Sequence, residues 1–133
     1  MPVLVDTNII IDVVTDDPDW ANWSIRQLDA NAADGLVINP VIYAELCFGF
    51  PAVEGVDDLV KEFGLSYQDV PRPGLFRAAK AFAVYKSRGG AKESVLPDFF
   101  VGGHAEATGL PVLTRDTARF RTYFPTVRLI CPD

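Results

Sequence analysis

Short apolar runs alternate along the chain with longer segments in which apolar residues recur every three or four positions. Uninterrupted apolar runs are typical of strands buried on both faces, as in parallel sheets. Such runs predict strands at 3–5, 36–38, 65–70, 111–114 and 126–130. Between them, the longer spacing predicts helices at about 9–14, 20–32, 40–48, 56–63, 73–87, 96–108 and 117–123.

Residues at the segment boundaries support this division. The polar run 6–8 offers N-caps to the first helix, Asn39 and Pro40 open the third, and Gly109 follows the end of the sixth. Strands and helices alternate from end to end, without repeats or linkers. We therefore expect a single α/β domain over residues 1–133, with a mainly parallel five-stranded sheet flanked by helices on both faces.

Composition excludes several classes of protein. The chain has 133 residues, 49% of them hydrophobic and 23% charged, which suits one globular domain. Its apolar runs are far shorter than the about 20 residues of a membrane span. The N-terminus has no basic region and carries two aspartates, so we expect no signal peptide. The cysteines, Cys47 and Cys131, are too few and too widely separated for a disulfide scaffold or a zinc site, which favours a reducing cytoplasm.

The charge is unevenly distributed. The net charge of −6 and the pI of about 4.6 argue against a nucleic-acid binder, whose surface is usually basic. Residues 1–62, however, hold 12 acids and 2 bases, whereas residues 63–133 hold 6 acids and 10 bases. The second part of the chain is therefore net positive, which allows a cationic surface beside an acidic pocket.

Four acidic residues with apolar neighbours stand at strand ends or early in helices. They are Asp6, Glu45, Asp98 and Asp116. Ligand sites of parallel sheets form beyond the carboxyl ends of the strands, so these carboxylates are predicted to share one edge. Few cations are placed to neutralise them, and oxygen ligands select Mg²⁺ or Mn²⁺. This pattern suggests metal-dependent phosphodiester hydrolysis. Helix capping for the three aspartates, and an exposed helix position for Glu45, are the structural alternatives.

Four segments taken together resemble the PIN domain, and more closely the VapC-type toxins of VapBC toxin–antitoxin modules. They are VLVDTN at 3–8, YAEL at 43–46, LPDFFVGGHA at 96–105 and VLTRD at 112–116. The resemblance implies an endoribonuclease that depends on Mg²⁺ or Mn²⁺, an antitoxin partner that blocks the acidic pocket, and a homodimer. Residues 50–92 match no motif and would shape the choice of RNA.

The resemblance also implies roles for individual residues. Asp6, Glu45, Asp98 and Asp116 would form an acidic quartet, in which Asp6, Asp98 and Asp116 hold the metal. Thr7, Asn8 and Thr114 would be polar neighbours of the metal site.

Outside the quartet, residues are assigned more by chemistry than by motif. Arg115, Arg88 and Lys92 are candidate contacts to RNA phosphates; pairing with a nearby acid is the alternative for Arg115, and a solvated surface for the other two. His104 is expected to pack or form a hydrogen bond rather than bind metal, and Asp12 is expected to be solvated. Gly102 and Gly103 would either keep the pocket open or allow close helix packing.

Two other functions compete with a nuclease. A phospho-accepting receiver domain has a similar order of elements, but it needs an acceptor aspartate after the third strand and a lysine after the fifth. Here Cys131, Pro132 and Asp133 follow the fifth strand. A PIN module that acts only through protein contacts is the third possibility, although all four acids are present.

Overall fold

The computed structural model describes residues 1–133 and contains five strands and seven helices. The strands are β1 (Val3–Val5), β2 (Leu36–Ile38), β3 (Leu65–Tyr67), β4 (Val112–Leu113) and β5 (Leu129–Ile130). The helices are α1 (Thr7–Val14), α2 (Ala21–Asn31), α3 (Pro40–Cys47), α4 (Val53–Glu62), α5 (Arg72–Ser87), α6 (Leu96–Thr108) and α7 (Ala118–Tyr123), with a 3₁₀ turn at Glu93–Val95. All strand pairs are parallel, in the order β3-β2-β1-β4-β5.

The central strands are covered on both faces of the sheet. Successive side chains of a strand point to opposite faces, yet every residue of β1 and β2 is buried. Helices must therefore lie on both sides, as the unbroken apolar runs predicted. The edge strand β3 buries only Leu65, which is why its sequence pattern is weaker. The predicted α/β architecture is confirmed.

The caps that the sequence suggested form where the strands end. Asp6 is extended and its Oδ1 accepts a hydrogen bond of 2.8 Å from the amide of Thr7. Asn39 likewise caps α3 through a 2.9 Å hydrogen bond from the amide of Ile42. Gly109 adopts φ +74° at the end of α6, a conformation that suits glycine. The first two caps place Asp6 and Asn39 at the carboxyl edge of the sheet, and Gly109 marks the end of α6.

Three strands are shorter than predicted, and the helix cap that was the alternative role of Asp116 does not form. The β3 ladder stops after Tyr67 because its partner β2 ends at Ile38, where α3 begins. Residues 125–127 form a turn and a bend before β5, which pairs only with the two residues of β4. Helix α7 starts at Ala118 without a side-chain cap, so Asp116 does not cap it and its carboxylate is left free of that role.

The core lies between the sheet and the surrounding helices, with Phe99, Phe120 and Phe124 among its largest buried side chains. Gly102 and Gly103 serve close packing: a Cβ on Gly102 would overlap the ring of Phe124, and one on Gly103 would overlap the carbonyl oxygen of Gly74. Helices α5 and α6 thereby approach each other closely. None of the helices is both long enough and apolar enough to cross a bilayer.

Candidate active site

The acidic residues reach one region from four different elements. Asp6 directly follows β1, the central strand, and Asp116 lies three residues beyond β4. Glu45 stands in the second turn of α3, and Asp98 in the first turn of α6. The charges of Asp6, Glu45 and Asp116 all act on Asp98, so the four groups are electrostatic neighbours. Parallel strands explain this meeting, since their carboxyl ends share an edge.

Thr114 connects two of these aspartates. Its hydroxyl donates a hydrogen bond of 2.8 Å to Oδ2 of Asp6 and accepts one of 3.1 Å from the amide of Asp116. The side-chain amide of Asn8 donates to the same hydroxyl at 3.3 Å and more distantly, at 3.4 Å, to Asp6. Thr114 is fully buried and Asp6 is 5% exposed. The hydroxyl therefore orients Asp6 and ties the backbone of Asp116 to it.

Glu45 is held by the start of α1. The hydroxyl of Thr7 donates a hydrogen bond of 2.7 Å to Oε1 of Glu45, across the gap between α1 and α3. Glu45 is half-buried, between the buried residues Ile42 and Leu46 of the same helix. The exposed helix position that was the alternative for Glu45 is therefore not the one it occupies. Thr7, Asn8 and Thr114, the three predicted polar neighbours, all bond to the acidic residues.

Asp98 and Asp116 differ from the other two acids in having free carboxylates. Asp98 is half-buried and Asp116 exposed, and neither side chain makes a hydrogen bond or an ion pair. Neither carboxylate therefore has a structural partner within the chain, and both remain available to a ligand from outside it.

Burial and mutual repulsion make two of the acids weak. Burial raises the pKa of Asp6 to about 6; hydrogen bonds from Thr114 and Thr7 oppose this, and the charges of Glu45 and Asp116 add to it. Burial, followed by the charges of Asp6, Asp116 and Glu45, raises the pKa of Asp98 to about 7. Carboxylates with such shifts lack sufficient positive charge around them, which is typical of functional sites.

The chemistry of these oxygen donors fits a hard divalent cation, but the distances between them in this structure do not. Carboxylates and hydroxyls are the ligands of Mg²⁺ and Mn²⁺, and the uncompensated charge would favour an ion. No three acidic, histidine or cysteine side chains, however, are close enough to hold one ion between them. Side chains would have to rotate inward for shared coordination, and the free carboxylates of Asp98 and Asp116 are the ones without bonds to break.

Asp12, expected to be solvated, is instead buried and paired. It is 2% exposed, and its two oxygens accept hydrogen bonds of 2.8 and 2.9 Å from the guanidinium of Arg115. Ser24 donates a further bond to it, at 3.0 Å. The prediction failed because the partners come from distant segments. The spacing of Asn8 and Asp12 was the available signal: they lie one turn apart, and both bond to Arg115.

The three candidate phosphate contacts have different surroundings. Arg115 is engaged by Asp12 and lies over the Trp20 ring at 5.6 Å, so the alternative of pairing with an acid describes this structure. Arg88 is exposed and lies over the ring of Tyr123 at 5.8 Å. Lys92 is exposed, and its amide donates to the hydroxyl of Tyr85. The structure gives neither Arg88 nor Lys92 an acidic partner.

His104 packs in the core and lies within hydrogen-bond distance of another side chain, as predicted. It is fully buried in α6, and its Nδ1 lies 3.2 Å from the side-chain nitrogen of Asn39. Since an asparagine nitrogen only donates, Nδ1 is the acceptor and the ring is neutral. Burial lowers the pKa of His104, in agreement with the neutral form.

A surface cavity of about 240 Å³ lies apart from the acidic residues. It is lined by apolar residues such as Val13, Leu28 and Phe63, and by none of the quartet.

Solved structures of similar fold span nearly the whole chain. VapBC2 from Rickettsia felis, bound to a fragment of its promoter DNA, superimposes with a TM-score of 0.72 at 20% identity, covering 100% of each chain. DNA-bound VapBC from Salmonella typhimurium gives 0.72 at 21% identity, covering 98% of each chain. FitAcB from Neisseria gonorrhoeae gives 0.66 at 22% identity, covering 98% of this chain and 96% of that one. At such identities the likeness establishes the fold.

Membership of a family rests on the sequence. Comparison with curated proteins found no match. The profile of the PIN domain, in contrast, matches residues 3–124, which include all four acidic residues and the polar groups that hold them. The chain therefore belongs to the PIN domain family.

Proposed function

We propose that this protein is a VapC-type toxin, an endoribonuclease that hydrolyses RNA with the help of Mg²⁺ or Mn²⁺. The observation that carries the proposal is the meeting of Asp6, Glu45, Asp98 and Asp116 at the carboxyl edge of a PIN fold with little compensating charge. The toxin–antitoxin assemblies among the solved structures of similar fold add support. RNA as substrate would place its action in the cytoplasm.

The residues divide into ligands and supports. Asp6, Asp98 and Asp116 would hold the ion, and Glu45, bonded to Thr7, would accept a proton from an attacking water. A bound Mg²⁺ would supply charge stabilisation at the phosphate and a more acidic water. Thr114 holds the side chain of Asp6 and the backbone of Asp116 in fixed positions relative to each other, and Thr7 orients Glu45. The free carboxylates of Asp98 and Asp116 would complete the ligand set.

Replacing Asp6 with asparagine should abolish RNA cleavage while the fold remains. The amide keeps the size of the side chain and its cap to Thr7 but removes the negative charge. Loss of a metal ligand removes several kcal/mol of transition-state stabilisation, so we expect a decrease of at least about a hundredfold in cleavage rate. Sequencing of RNA ends after brief expression of the wild-type chain and of Asp6→Asn would measure activity and identify the target together.

Asp29→Asn is the matched control, because Asp29 is exposed on α2 outside the site. It should cleave at the wild-type rate. Cleavage that persists with EDTA present, or an Asp6→Asn variant as active as the control, would contradict the proposal.

The two alternatives find less support. The receiver-type sheet has the order 2-1-3-4-5, whereas β3 is the edge strand here and the order is β3-β2-β1-β4-β5. A PIN module without catalysis needs none of the bonds from Thr7 and Thr114 that hold two carboxylates in place. No specific observation favours either alternative over the nuclease.

Two partners belong to the proposal besides RNA. The acidic face would accept a basic segment of an antitoxin, and a second copy of the chain would form a homodimer. Phe48, 93% exposed, and Phe76, also exposed, are apolar residues that such contacts would cover. Inhibition of cleavage by a co-expressed antitoxin tests the first partner, and light scattering of the purified chain tests the second.

A further inference from the structure

Arg119 lies beside the acidic site without an ion pair or a hydrogen bond. It stands in the first turn of α7, three residues after Asp116, and its charge acts on Asp98. Its Nε is buried and has no acceptor in the chain. The terminal guanidinium nitrogens have no acceptor in the chain either, and Arg119 is only partly buried, so these nitrogens are the donors that an acceptor from outside can reach.

Aromatic rings hold this guanidinium in place. Arg119 lies over the ring of Tyr85 on α5, at 5.9 Å. Tyr85 packs in turn against Phe99 and Tyr123, with ring centroids 5.5 and 6.1 Å apart. Arg88 lies over the Tyr123 ring of the same cluster. Two guanidinium groups thus rest on neighbouring rings, and stacking leaves the N–H edges of a guanidinium free to bind a ligand.

Three other arginines of the chain have acceptors for their guanidinium groups, and the remaining four, Arg26, Arg72, Arg88 and Arg128, are exposed to solvent. Arg115 pairs with Asp12, and Arg77 pairs with Glu106 on the surface. Arg121, on the same helix as Arg119, donates to the sulfur of Cys131. Arg119 approaches Asp98 but no nitrogen comes within ion-pair distance of that carboxylate. Neutralising Asp98 through a direct bond is therefore not what places Arg119 here.

We infer that Arg119 binds a phosphate of the RNA strand next to the acidic site, with Arg88 as a neighbouring phosphate contact. The inference rests on the proposed function, because it states how the RNA substrate would approach the proposed active site, along α5 and α7. A guanidinium matches the geometry of a phosphate through two parallel N–H donors, and an ordered one loses little entropy on binding. The acidic quartet lies next to this cationic edge, so a strand held there would present its backbone to the carboxylates.

Arg119→Met and Arg121→Met form a matched pair for the test. Methionine keeps the apolar stem that packs on Tyr85 and removes only the charge and the donors. Both variants would be made in the inactive Asp6→Asn chain and titrated with fluorescein-labelled single-stranded RNA of mixed sequence. Fluorescence anisotropy at a series of KCl concentrations would give the affinity and its salt dependence, and circular dichroism would verify the fold.

Arg119→Met should weaken RNA binding about tenfold, since a charge-assisted hydrogen bond is lost. The slope of log affinity against log salt should become shallower by about 0.7, the value for one phosphate contact on a single strand. Arg121→Met should change neither quantity. Arg119→Lys should keep the slope, because it keeps the charge, and recover part of the affinity.

Two results would overturn the inference. Equal slopes for Arg119→Met and Arg121→Met would show that Arg119 contacts no phosphate. The second result combines two measurements: Arg119→Met leaves the salt slope of RNA binding unchanged, and the single variant Arg119→Met binds Mn²⁺ more tightly than the wild-type chain. Together they would show that Arg119 only offsets the acidic charge. Failure of the proposed function is a separate observation: RNA left intact by the wild-type chain with Mn²⁺ present rejects the nuclease, whatever the binding titration shows.

Discussion

At the scale of single residues, two threonine hydroxyls do as much to organise the site as the carboxylates themselves. Thr7 bonds to Glu45, and Thr114 bonds to Asp6 while accepting the amide of Asp116. A carboxylate that must bind a metal gains from a fixed orientation, because less freedom is then lost on binding. The two best-positioned acids are those with a hydroxyl donor, whereas Asp98 and Asp116 keep free carboxylates.

Thr114→Val should weaken metal binding more than it weakens the fold. Valine keeps the shape of the buried side chain but removes the shorter hydrogen bond to Oδ2 of Asp6 and leaves the amide of Asp116 without its acceptor. Removing such a support typically costs 10–100-fold in metal affinity. Calorimetric titration with Mn²⁺ would measure the loss. Thr114→Ser, which retains the hydroxyl, is the control, and a Ser variant as weak as the Val variant would contradict the role of the hydrogen bonds.

At the scale of elements, the packing of α5 against α6 decides where Asp98 lies. Gly74 of α5 and Gly103 of α6 face each other so closely that neither has room for a Cβ without contact with the other helix's backbone. Asp98 is in the first turn of α6, and the aromatic rings of Tyr85 and Phe99 fill the contact on that side. A change of helix separation would therefore move one of the four carboxylates.

Gly103→Ala should destabilise the protein by about 1–3 kcal/mol, because the new Cβ overlaps a carbonyl oxygen of α5 that cannot rotate away. The loss would outweigh the better helix propensity of alanine, about 1 kcal/mol. Urea denaturation would measure it. Gly49→Ala is the control, since its Cβ would meet only one atom, at an ordinary 3.6 Å, and it should change stability by less than about 0.5 kcal/mol. Equal effects of the two substitutions would contradict the packing argument.

At the scale of the whole molecule, the acidic site opposes folding in the absence of an ion. Asp6 and Asp98 have pKa values of about 6 and 7 in the folded chain, above the ordinary 3.8. Between about pH 4 and 7 the folded state then binds more protons than the unfolded state, so stability falls as pH rises through this window. A divalent cation binds the ionised carboxylates, so it should stabilise the folded state increasingly as pH rises.

The free energy of unfolding of the metal-free protein should therefore decrease from about pH 4 to about pH 7, the range between unfolded and folded pKa values. Mg²⁺ at about 100 times its dissociation constant should add about 2.7 kcal/mol near pH 8, and much less near pH 5. Denaturation with and without Mg²⁺ would measure both effects. Asp6→Asn serves as the control and should respond weakly to Mg²⁺; a response equal to that of the wild type, or metal-free stability that rises over this range, would contradict the assignment.

The order of the elements and the positions of the four acids along the chain follow from the sequence alone. An apolar run of three residues with a polar residue directly after it is a local pattern, and it predicts a buried strand that ends at the sheet's edge. The parallel pairing is predicted from the alternation of strands and helices along the whole chain. The bounds were less certain for β3 and β5, because their ends depend on where a partner strand stops.

The contacts of the side chains, in contrast, follow from the tertiary structure. Asp12 was expected to be solvated, yet it is buried and paired with Arg115, which is 103 positions away. Arg119 is one of ten bases in the second part of the chain, yet in the folded protein its buried Nε has no acceptor and its charge acts on Asp98. Solvation, pairing and pKa depend on distances between residues remote along the chain, and those distances exist only once the helices have packed on the sheet.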